Sequence, residues 1–220
     1  MRRRWLRLMM RCGAAGMLCC ALLCVGGCNI FGAVASKAVG PTKVQAQYTP
    51  PPAEPLLVLA ENYRNPSDTL IDAEQLVRYV SRQLEEKKVA PIVDPNRVFE
   101  LRSSRPAKYR DMSIADIARE AGAKQVIYID VVQSGIVMAD ASEMMKAMIS
   151  TRVRVVDAQS AATLWPPNAA EGLPIVHETP LVRVKGNVTE DRLRQQAARG
   201  VAERIARLFY TYTPEFETRE

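Results

Sequence analysis

The sequence predicts an α/β domain with a mixed sheet, parallel in its first half and antiparallel in its second half, covered by helices and ending in a long C-terminal helix. Two segments, 56–60 and 126–137, are apolar on both faces, as in strands that lie between two helical layers. Later segments alternate apolar and polar residues, which indicates strands with one face in water. Residues 189–210 place apolar side chains along one side of a helix.

The first half predicts strands that alternate with amphipathic helices. Residues 56–60 form the first strand, which we expect to be central in the sheet. A turn at 65–68 leads to a helix over 71–86, in which apolar residues recur at helical spacing and charged residues occupy the other side. A second short strand is expected at 89–93.

Two further helices are marked by their terminal residues. Asp94 and Pro95 supply an N-cap and a first-turn proline for one of them. Ser113 and Asp116 have the spacing of a capping box for the other, and Gly122 ends it.

The second half predicts strands that follow each other directly. Residues 126–137 form another central strand, and the alternation over 146–157 is typical of an antiparallel neighbour with one wet face. The segment 163–165 closes a hairpin after a short polar turn, and 181–188 alternates again. The last helix, 189–210, is expected to cover one sheet face.

The amino terminus has the composition of an export signal. A positively charged segment precedes a charge-free apolar stretch, 12–27, that ends in small residues. Residues 23–28 resemble the bacterial lipobox, in which an aliphatic residue and two small residues precede a cysteine. The resemblance implies cleavage between Gly27 and Cys28, and a covalent lipid on Cys28 with acyl chains such as palmitate.

An uncleaved membrane anchor is the alternative interpretation of this segment. Residues 12–36 carry no charge and are long enough to span a bilayer, although their glycines favour the lipoprotein. Both interpretations place the rest of the chain in the cell envelope, facing the periplasm. Asn29 is not the aspartate that retains many lipoproteins on the inner membrane, so the outer membrane is favoured and the inner membrane stays open.

Four parts are therefore predicted along the chain. Residues 1–27 form the lipoprotein signal peptide, and 28–55 form a lipidated, proline-rich tether that favours extended backbone. Residues 56–212 form the α/β domain, which is large enough to bury a core without disulfides. Residues 213–220 form a C-terminal tail.

Composition excludes several classes of protein. The chain has 30 Lys and Arg against 24 Asp and Glu, but five arginines precede Cys28, which leaves 25 cations against 24 acids and removes the case for nucleic acid. All five cysteines lie at or before Cys28, and His177 is the single histidine. We therefore expect no disulfide scaffold, no metal site and no cofactor besides the lipid on Cys28.

Two segments resemble a superfamily of bacterial envelope proteins. Residues 122–129 resemble its Gly-Ala step into a strand, and 155–165 resemble its Val-Asp-Ala hairpin that ends in Leu-Trp. The superfamily includes the amino-terminal domain of the Tol translocation protein, the curli-secretion lipoprotein and the penicillin-binding-protein activator lipoproteins. The resemblance implies the same α/β fold. Ser160 and Ala161 stand where the family has Thr-Gly, so we expect a different turn type there.

A catalytic interpretation would have to use five residues near strand ends or in loops: Asp94, Asp130, Asp157, Glu178 and His177. Asp94 and Asp157 are explained as a helix cap and a turn residue. No nucleophile motif accompanies His177, and no sign indicates that two acids converge. We therefore expect no enzymatic activity, and an envelope hydrolase ranks third among the alternatives.

Two features of the sequence predict an interaction surface: a cluster of methionines and a proline-containing segment. Methionines repack easily on binding surfaces, and several cluster where the strand over 126–137 ends; the alternative is that they fill gaps in the core. The segment 165–180, which is predicted to be a loop with four prolines, is stiff and loses little entropy on binding; the alternative is that it covers a sheet edge. The candidates are Met138, Met144, Met145, Trp165, Pro166, Pro167 and His177.

These features predict a membrane-anchored lipoprotein that acts as a non-catalytic adaptor, assembly factor or regulator of an envelope complex. Its partners would be the membrane, through the lipid, and an envelope protein. The alternative is a homo-oligomeric structural subunit of a secretion or polysaccharide-export assembly. For the adaptor, confinement to a membrane would raise the effective concentration of a weak contact.

Overall fold

The computed structural model describes residues 42–62, 72–138, 143–183 and 187–214. Gln45–Tyr212 form one compact unit, which contains every helix and strand described below. Gly27, Cys28 and the turn predicted at 65–68 lie outside the described residues. None of the described helices combines the length and the apolar composition that crossing a bilayer requires.

The helices and strands follow each other in this order: β1 (Leu56–Glu61), α1 (Ala73–Glu86), α2 (Asn96–Ser104), α3 (Pro106–Asp111), α4 (Ile114–Ala121), β2 (Gln125–Met138), β3 (Met144–Asp157), β4 (Thr163–Trp165), β5 (Leu173–Glu178), β6 (Val182–Arg183) and α5 (Asn187–Ala206).

The sheet is mixed, as the sequence predicts. β1 pairs with β2 in parallel, beginning with Leu56 opposite Gln125. β2 and β3 are antiparallel along nearly their whole length. The other side of β3 is occupied in series by β4, β5 and β6, all antiparallel to it. The α/β fold with a parallel first half and an antiparallel second half is therefore confirmed.

Helices cover the two faces of β1. Leu56 and Val58 point into a large core with α1 and α5, while Leu57 and Leu59 point into a smaller core with α2, α3 and α4. Because successive strand residues point to opposite faces, these two cores lie on opposite sides of the sheet. α5 is thus the long C-terminal helix that the sequence predicts over one sheet face.

Two expectations about the first strands are wrong. β1 lies at the end of the strand order and not in its centre, although all its residues are buried. The segment 89–93 forms only an isolated parallel bridge between Ile92 and Leu56, with Leu56 N–H donating to Pro91 O and Val93 N–H to Leu56 O. Pro91 has no N–H, so this segment covers the edge of β1 without becoming a strand.

The helix termini follow the sequence closely. Ser113 and Asp116 form both hydrogen bonds of a capping box, and Gly122 ends α4 with a left-handed φ of 85°. The N-cap of α2 is Pro95, one residue later than the predicted Asp94, and the carboxylate of Asp94 instead accepts a hydrogen bond from N–H of Asn96, the first residue of α2, at 3.0 Å. The short helix α3, with Pro106 in its first turn, was not expected from the sequence.

The turn before β4 departs from the expectation. Ala161 has φ 59°, so the left-handed conformation is kept although alanine replaces glycine there. Asp157 holds the turn: its Oδ1 accepts hydrogen bonds from Gln159 N–H at 3.0 Å and Ser160 N–H at 2.7 Å. These bonds offset the backbone strain.

The segment expected to be a loop over 165–180 contains β5, which pairs with β3 from Val153 to Met148. In the predicted strand 181–188, only the two residues of β6 pair within the part that the structure describes. α5 begins at Asn187, earlier than predicted, and ends at Ala206. Proline at strand ends and edges is compatible with pairing, which is why β5 was missed.

The last part of the predicted tether packs on the domain. Gln47 N–H and Tyr48 N–H both donate to Leu208 O, and the Tyr48 ring makes an edge contact with Phe209 at 6.4 Å. Tyr48 O–H donates to Gln125 Oε1 at 2.9 Å. Residues from Gln45 onward therefore belong to the compact unit.

Candidate interaction surface

Half of the sheet is covered by helices on one face only. The smaller core reaches β2 as far as Tyr128 and β3 at Val156, so α2, α3 and α4 cover only this end. Further along, Ala147 and Ile149 are buried under the other helical layer. Their neighbours on β3 point the opposite way and are only half-buried.

We call this surface the open sheet face. Residues opposite each other in antiparallel strands share a face, so the register defines its members. They are Gln133, Gly135 and Val137 on β2, Lys146, Met148, Ser150 and Arg152 on β3, and Pro174, Val176 and Glu178 on β5.

The open sheet face carries exposed apolar side chains. Val137 is 41% exposed and Val176 is 46% exposed. A Cβ added to Gly135 would meet no atom within 4 Å, and Gly135 does not have a left-handed backbone. The space above Gly135, on the β2 side of the face, is therefore open, and a side chain at this position would project from the face.

Charged pairs lie among these apolar residues. Lys146 Nζ and Glu178 Oε2 form an ion pair at 2.6 Å, and both side chains are partly exposed. Arg152 pairs with Glu171 at the margin of the face. Exposed pairs of this kind contribute little to stability, about 0–1 kcal/mol, so a binding partner could rearrange them at small cost.

The outer edge of β5 is poorly suited to pairing with a strand of another protein. Arg204 Nη1 donates a hydrogen bond to Val176 O at 2.8 Å from α5. Pro174 provides no N–H. Both features reduce the hydrogen-bonding capacity of this edge, as in proteins that avoid edge-to-edge pairing.

The candidate interaction residues do not lie together. Met138 is 54% exposed at the end of β2, and Met144 is half-buried beside it, whereas Met145 is in the core. Trp165 pairs with Val155, near the far end of β3. With a rise of about 3.3 Å per residue, Met144 and Val155 lie roughly 35 Å apart along β3.

Trp165 is also a core residue. Its ring makes an edge contact with Phe209 at 6.0 Å. Pro166, joined to it by a cis peptide bond, is half-buried, and Pro167 is exposed. The two prolines therefore lie at the surface next to the buried Trp165, away from the open sheet face.

His177 faces α5. A Cβ added to Gly200 would collide with His177 Nε2, so the imidazole fills the space that a side chain at Gly200 would need. His177 Nδ1 is buried and has no hydrogen-bond partner. Burial, followed by the nearby charge of Arg204, holds the pKa of His177 below its ordinary value. The residue is a packing contact between β5 and α5.

Three of the four acids named as catalytic candidates have separate structural roles, and the fourth, Asp130, lies opposite Glu61 in the register of β1 and β2. Asp94 bonds the start of α2, Asp157 holds the turn, and Glu178 pairs with Lys146. Hydrogen bonds from Ser160 lower the pKa of Asp157. Across the described residues, no group of three or more His, Cys, Asp or Glu side chains could hold a metal ion.

One carboxylate cluster was missed by sequence reasoning. Glu61, at the end of β1, is buried and accepts hydrogen bonds from Tyr109 O–H at 2.9 Å and Tyr128 O–H at 3.4 Å. Arg102 Nη2 donates to Tyr109 O–H at 3.2 Å, and Arg154 stacks over the Tyr128 ring at 5.2 Å. The signal in the sequence was an acid that directly continues a fully apolar strand.

Burial controls the tyrosines of this cluster. It raises the pKa of Tyr109 to about 12, with a hydrogen bond from Arg102 acting in the opposite direction. Burial and the neighbouring Glu61 also raise the pKa of Tyr128. Both phenols therefore stay protonated at neutral pH and serve as hydrogen-bond donors to the carboxylate.

Comparisons with known proteins find matches only among solved structures. No family model matches the chain, and no curated protein matches it. Solved structures do match: a variant of the PelC dodecamer from Paraburkholderia phytofirmans is 14% identical, covers 78% of this chain and 99% of its own, and has a TM-score of 0.43. Lipoprotein GNA1162 from Neisseria meningitidis is 15% identical, with 68% and 99% covered and a TM-score of 0.40.

A minor lipoprotein from Acinetobacter baumannii is 9% identical, with 70% of this chain and 90% of that chain covered and a TM-score of 0.39. These similar structures are thus named mainly as bacterial lipoproteins, but TM-scores below 0.5 carry no argument about what this chain does. The more specific resemblance to the Tol, curli and penicillin-binding-protein activator proteins stays a prediction.

Proposed function

We propose that this chain is a lipid-anchored protein of the cell envelope, whose domain binds an envelope protein through the open sheet face and acts as an adaptor, assembly factor or regulator. The observation that carries the proposal is the one-sided covering of the sheet. Val137 on β2 and Val176 on β5 are exposed, and the space above Gly135 is open, on a part of the sheet where the smaller core and its helices do not reach. Apolar side chains exposed on a sheet face without a covering layer favour a protein contact.

The anchor part of the proposal rests on the sequence. Cys28 follows a lipobox-like segment, and lipidation there would attach the domain to the periplasmic side of a membrane, with the outer membrane favoured. Attachment raises the effective concentration of nearby partners, so a small and weak surface is sufficient for function. Catalysis is not part of the proposal, because Asp94, Asp157 and Glu178 have structural roles and His177 packs against α5.

Substitution of Gly135 tests the binding surface. Gly135→Gln would project a polar side chain from the open sheet face without meeting any atom of its own chain, and Gly135→Ala is the matched control with the same backbone change. Intact cells that express full-length wild type or either variant are crosslinked, the membranes are solubilised, and the proteins recovered with the chain are quantified by mass spectrometry.

We expect wild type and Gly135→Ala to recover the same stoichiometric protein, and Gly135→Gln to recover it with a yield reduced about tenfold, as for a polar side chain that disrupts packing within a contact. Equal recovery with all three chains would contradict the assignment of this face. Thermal unfolding of the three proteins controls for folding, because Gly135 lies in a strand where larger residues are tolerated.

A further inference from the structure

Resting on the proposed function, we infer that the open sheet face binds a second copy of this chain. The two faces pack sheet on sheet around a two-fold axis that brings Lys146 of each copy opposite Glu178 of the other. The envelope protein that this face binds is then another copy of the same chain.

The pattern of charge on the face supports a self-contact. Lys146 and Glu178 lie side by side, 2.6 Å apart, on neighbouring strands. A two-fold contact is self-complementary, because residue i meets residue j and j meets i. An axis through this ion pair therefore exchanges the partners, and each lysine and each glutamate remains paired across the contact.

The shape of the face also suits another sheet. Three antiparallel strands, β2, β3 and β5, present alternate side chains with an empty position at Gly135. Sheets pack face to face at about 10 Å by interdigitating their side chains. Gly135 lies directly opposite Met148 on the neighbouring strand, so the empty position can receive a side chain such as Met148 of the second copy.

The size of the face determines the strength of the contact. Three strands at a spacing of about 4.8 Å, over the length from Lys146 to Arg152, give roughly 300 Å² per copy. A stable interface has about 800 Å² per partner, so the self-contact is weak in dilute solution. Two copies held on one membrane meet at a higher effective concentration, which makes the membrane the place to measure it.

The test uses a charge swap and a single cysteine. The chain has no cysteine after Cys28, so Met148→Cys introduces one thiol beside the expected axis, and Gln196→Cys on the exposed side of α5 is the control. Full-length proteins in native membranes are treated with a short bismaleimide, and the fraction of crosslinked dimer is measured. Wild type without an added cysteine gives the background.

We expect Met148→Cys to form dimers well above the Gln196→Cys control. Lys146→Glu or Glu178→Lys is then added singly to the Met148→Cys protein. Because each single change places like charges opposite each other twice per dimer, it should lower the dimer fraction about fivefold. Coexpression of the two single variants should restore it in mixed dimers, because each lysine again meets a glutamate. The double variant should restore it as well.

Several outcomes overturn the inference. Each of three results would show that the face does not bind a second copy. The dimer fraction of Met148→Cys could equal that of Gln196→Cys, the single charge variants could leave the dimer fraction unchanged, or coexpression of the two could fail to restore it. If Gly135→Gln nevertheless reduces recovery of a different envelope protein, the proposed function stands and only the self-contact falls. Thermal unfolding of each variant excludes misfolding, because the ion pair is exposed and contributes little to stability.

Discussion

Glu61 is the residue whose chemistry most depends on its surroundings. Its carboxylate is buried where β1 ends, and the two tyrosines that donate to it come from α3 and β2. A buried carboxylate of this kind needs such donors, because an unpaired charge in the interior is costly. The cluster therefore joins the smaller core to the sheet by polar contacts.

Glu61→Ala should destabilise the domain by about 2–4 kcal/mol, since it leaves two buried hydroxyl groups without their acceptor. Denaturant unfolding of the purified protein measures the change. Tyr128→Phe, which removes the longer hydrogen bond of 3.4 Å, is the matched control and should lower stability by less than about 1.5 kcal/mol. Equal effects of the two variants would contradict this description of the cluster.

His177 gives the fold a dependence on pH. Burial, followed by the charge of Arg204, lowers the pKa of His177 in the folded state, and Glu203 acts in the opposite direction. The residue opposite His177 on β3 is the uncharged Ile149. The unfolded chain therefore binds the proton more readily. Stability should decrease as pH falls from about 6.5, the ordinary value for histidine, toward the lowered pKa of the folded state.

The measurement compares unfolding midpoints of wild type and His177→Gln between neutral pH and about pH 5. His177 is the single histidine of the chain, so the difference between the two curves reports this group alone. We expect wild type to lose more stability than the variant over this interval. Parallel curves would show that His177 is protonated equally well in the folded state.

At the scale of elements, the close approach of β5 and α5 depends on glycine. Gly200 leaves room for the imidazole of His177, and Arg204, one helical turn later, bonds Val176 O. Glycine inside a helix is unfavourable by about 1 kcal/mol relative to alanine, so its presence there follows from this packing. The contact holds the outer strand against the helix.

Gly200→Ala should destabilise the protein by about 1–3 kcal/mol through overpacking. In a His177→Ala background the collision is gone, and the same substitution should instead stabilise by up to about 1 kcal/mol because alanine favours the helix. A double-mutant cycle by denaturant unfolding measures this reversal of sign. Additive effects would contradict the contact.

The elements that the sequence predicts correctly are those with local causes. The capping box of Ser113 and the left-handed Gly122 need only neighbouring residues. β5 was missed because its pairing to β3 is a long-range property and Pro174 obscured it. Ala161 keeps a glycine-like conformation because Asp157 bonds the turn, and this hydrogen bonding outweighs the preference of alanine.

At the scale of the whole molecule, the alternation over β3 correctly indicates one wet face, but it does not say which neighbours complete that face. The open sheet face arises because α2, α3 and α4 cover the sheet only as far as Tyr128, and because β5 extends the sheet beyond these helices. Both depend on where separate elements meet. The candidate residues were therefore scattered between two ends of β3, and Gly135 and Glu178 were not recognised as parts of one surface.

The parallel pairing of β1 with β2 also determines the order in which the strands pair during folding. Leu56 pairs with Gln125, 69 positions later, whereas β2, β3, β4 and β5 pair with near neighbours in the chain. Closing a long loop costs entropy before any contact repays it, so local pairs form sooner. We expect the antiparallel ribbon to form first and β1 to dock late, and until then its apolar residues require protection from aggregation.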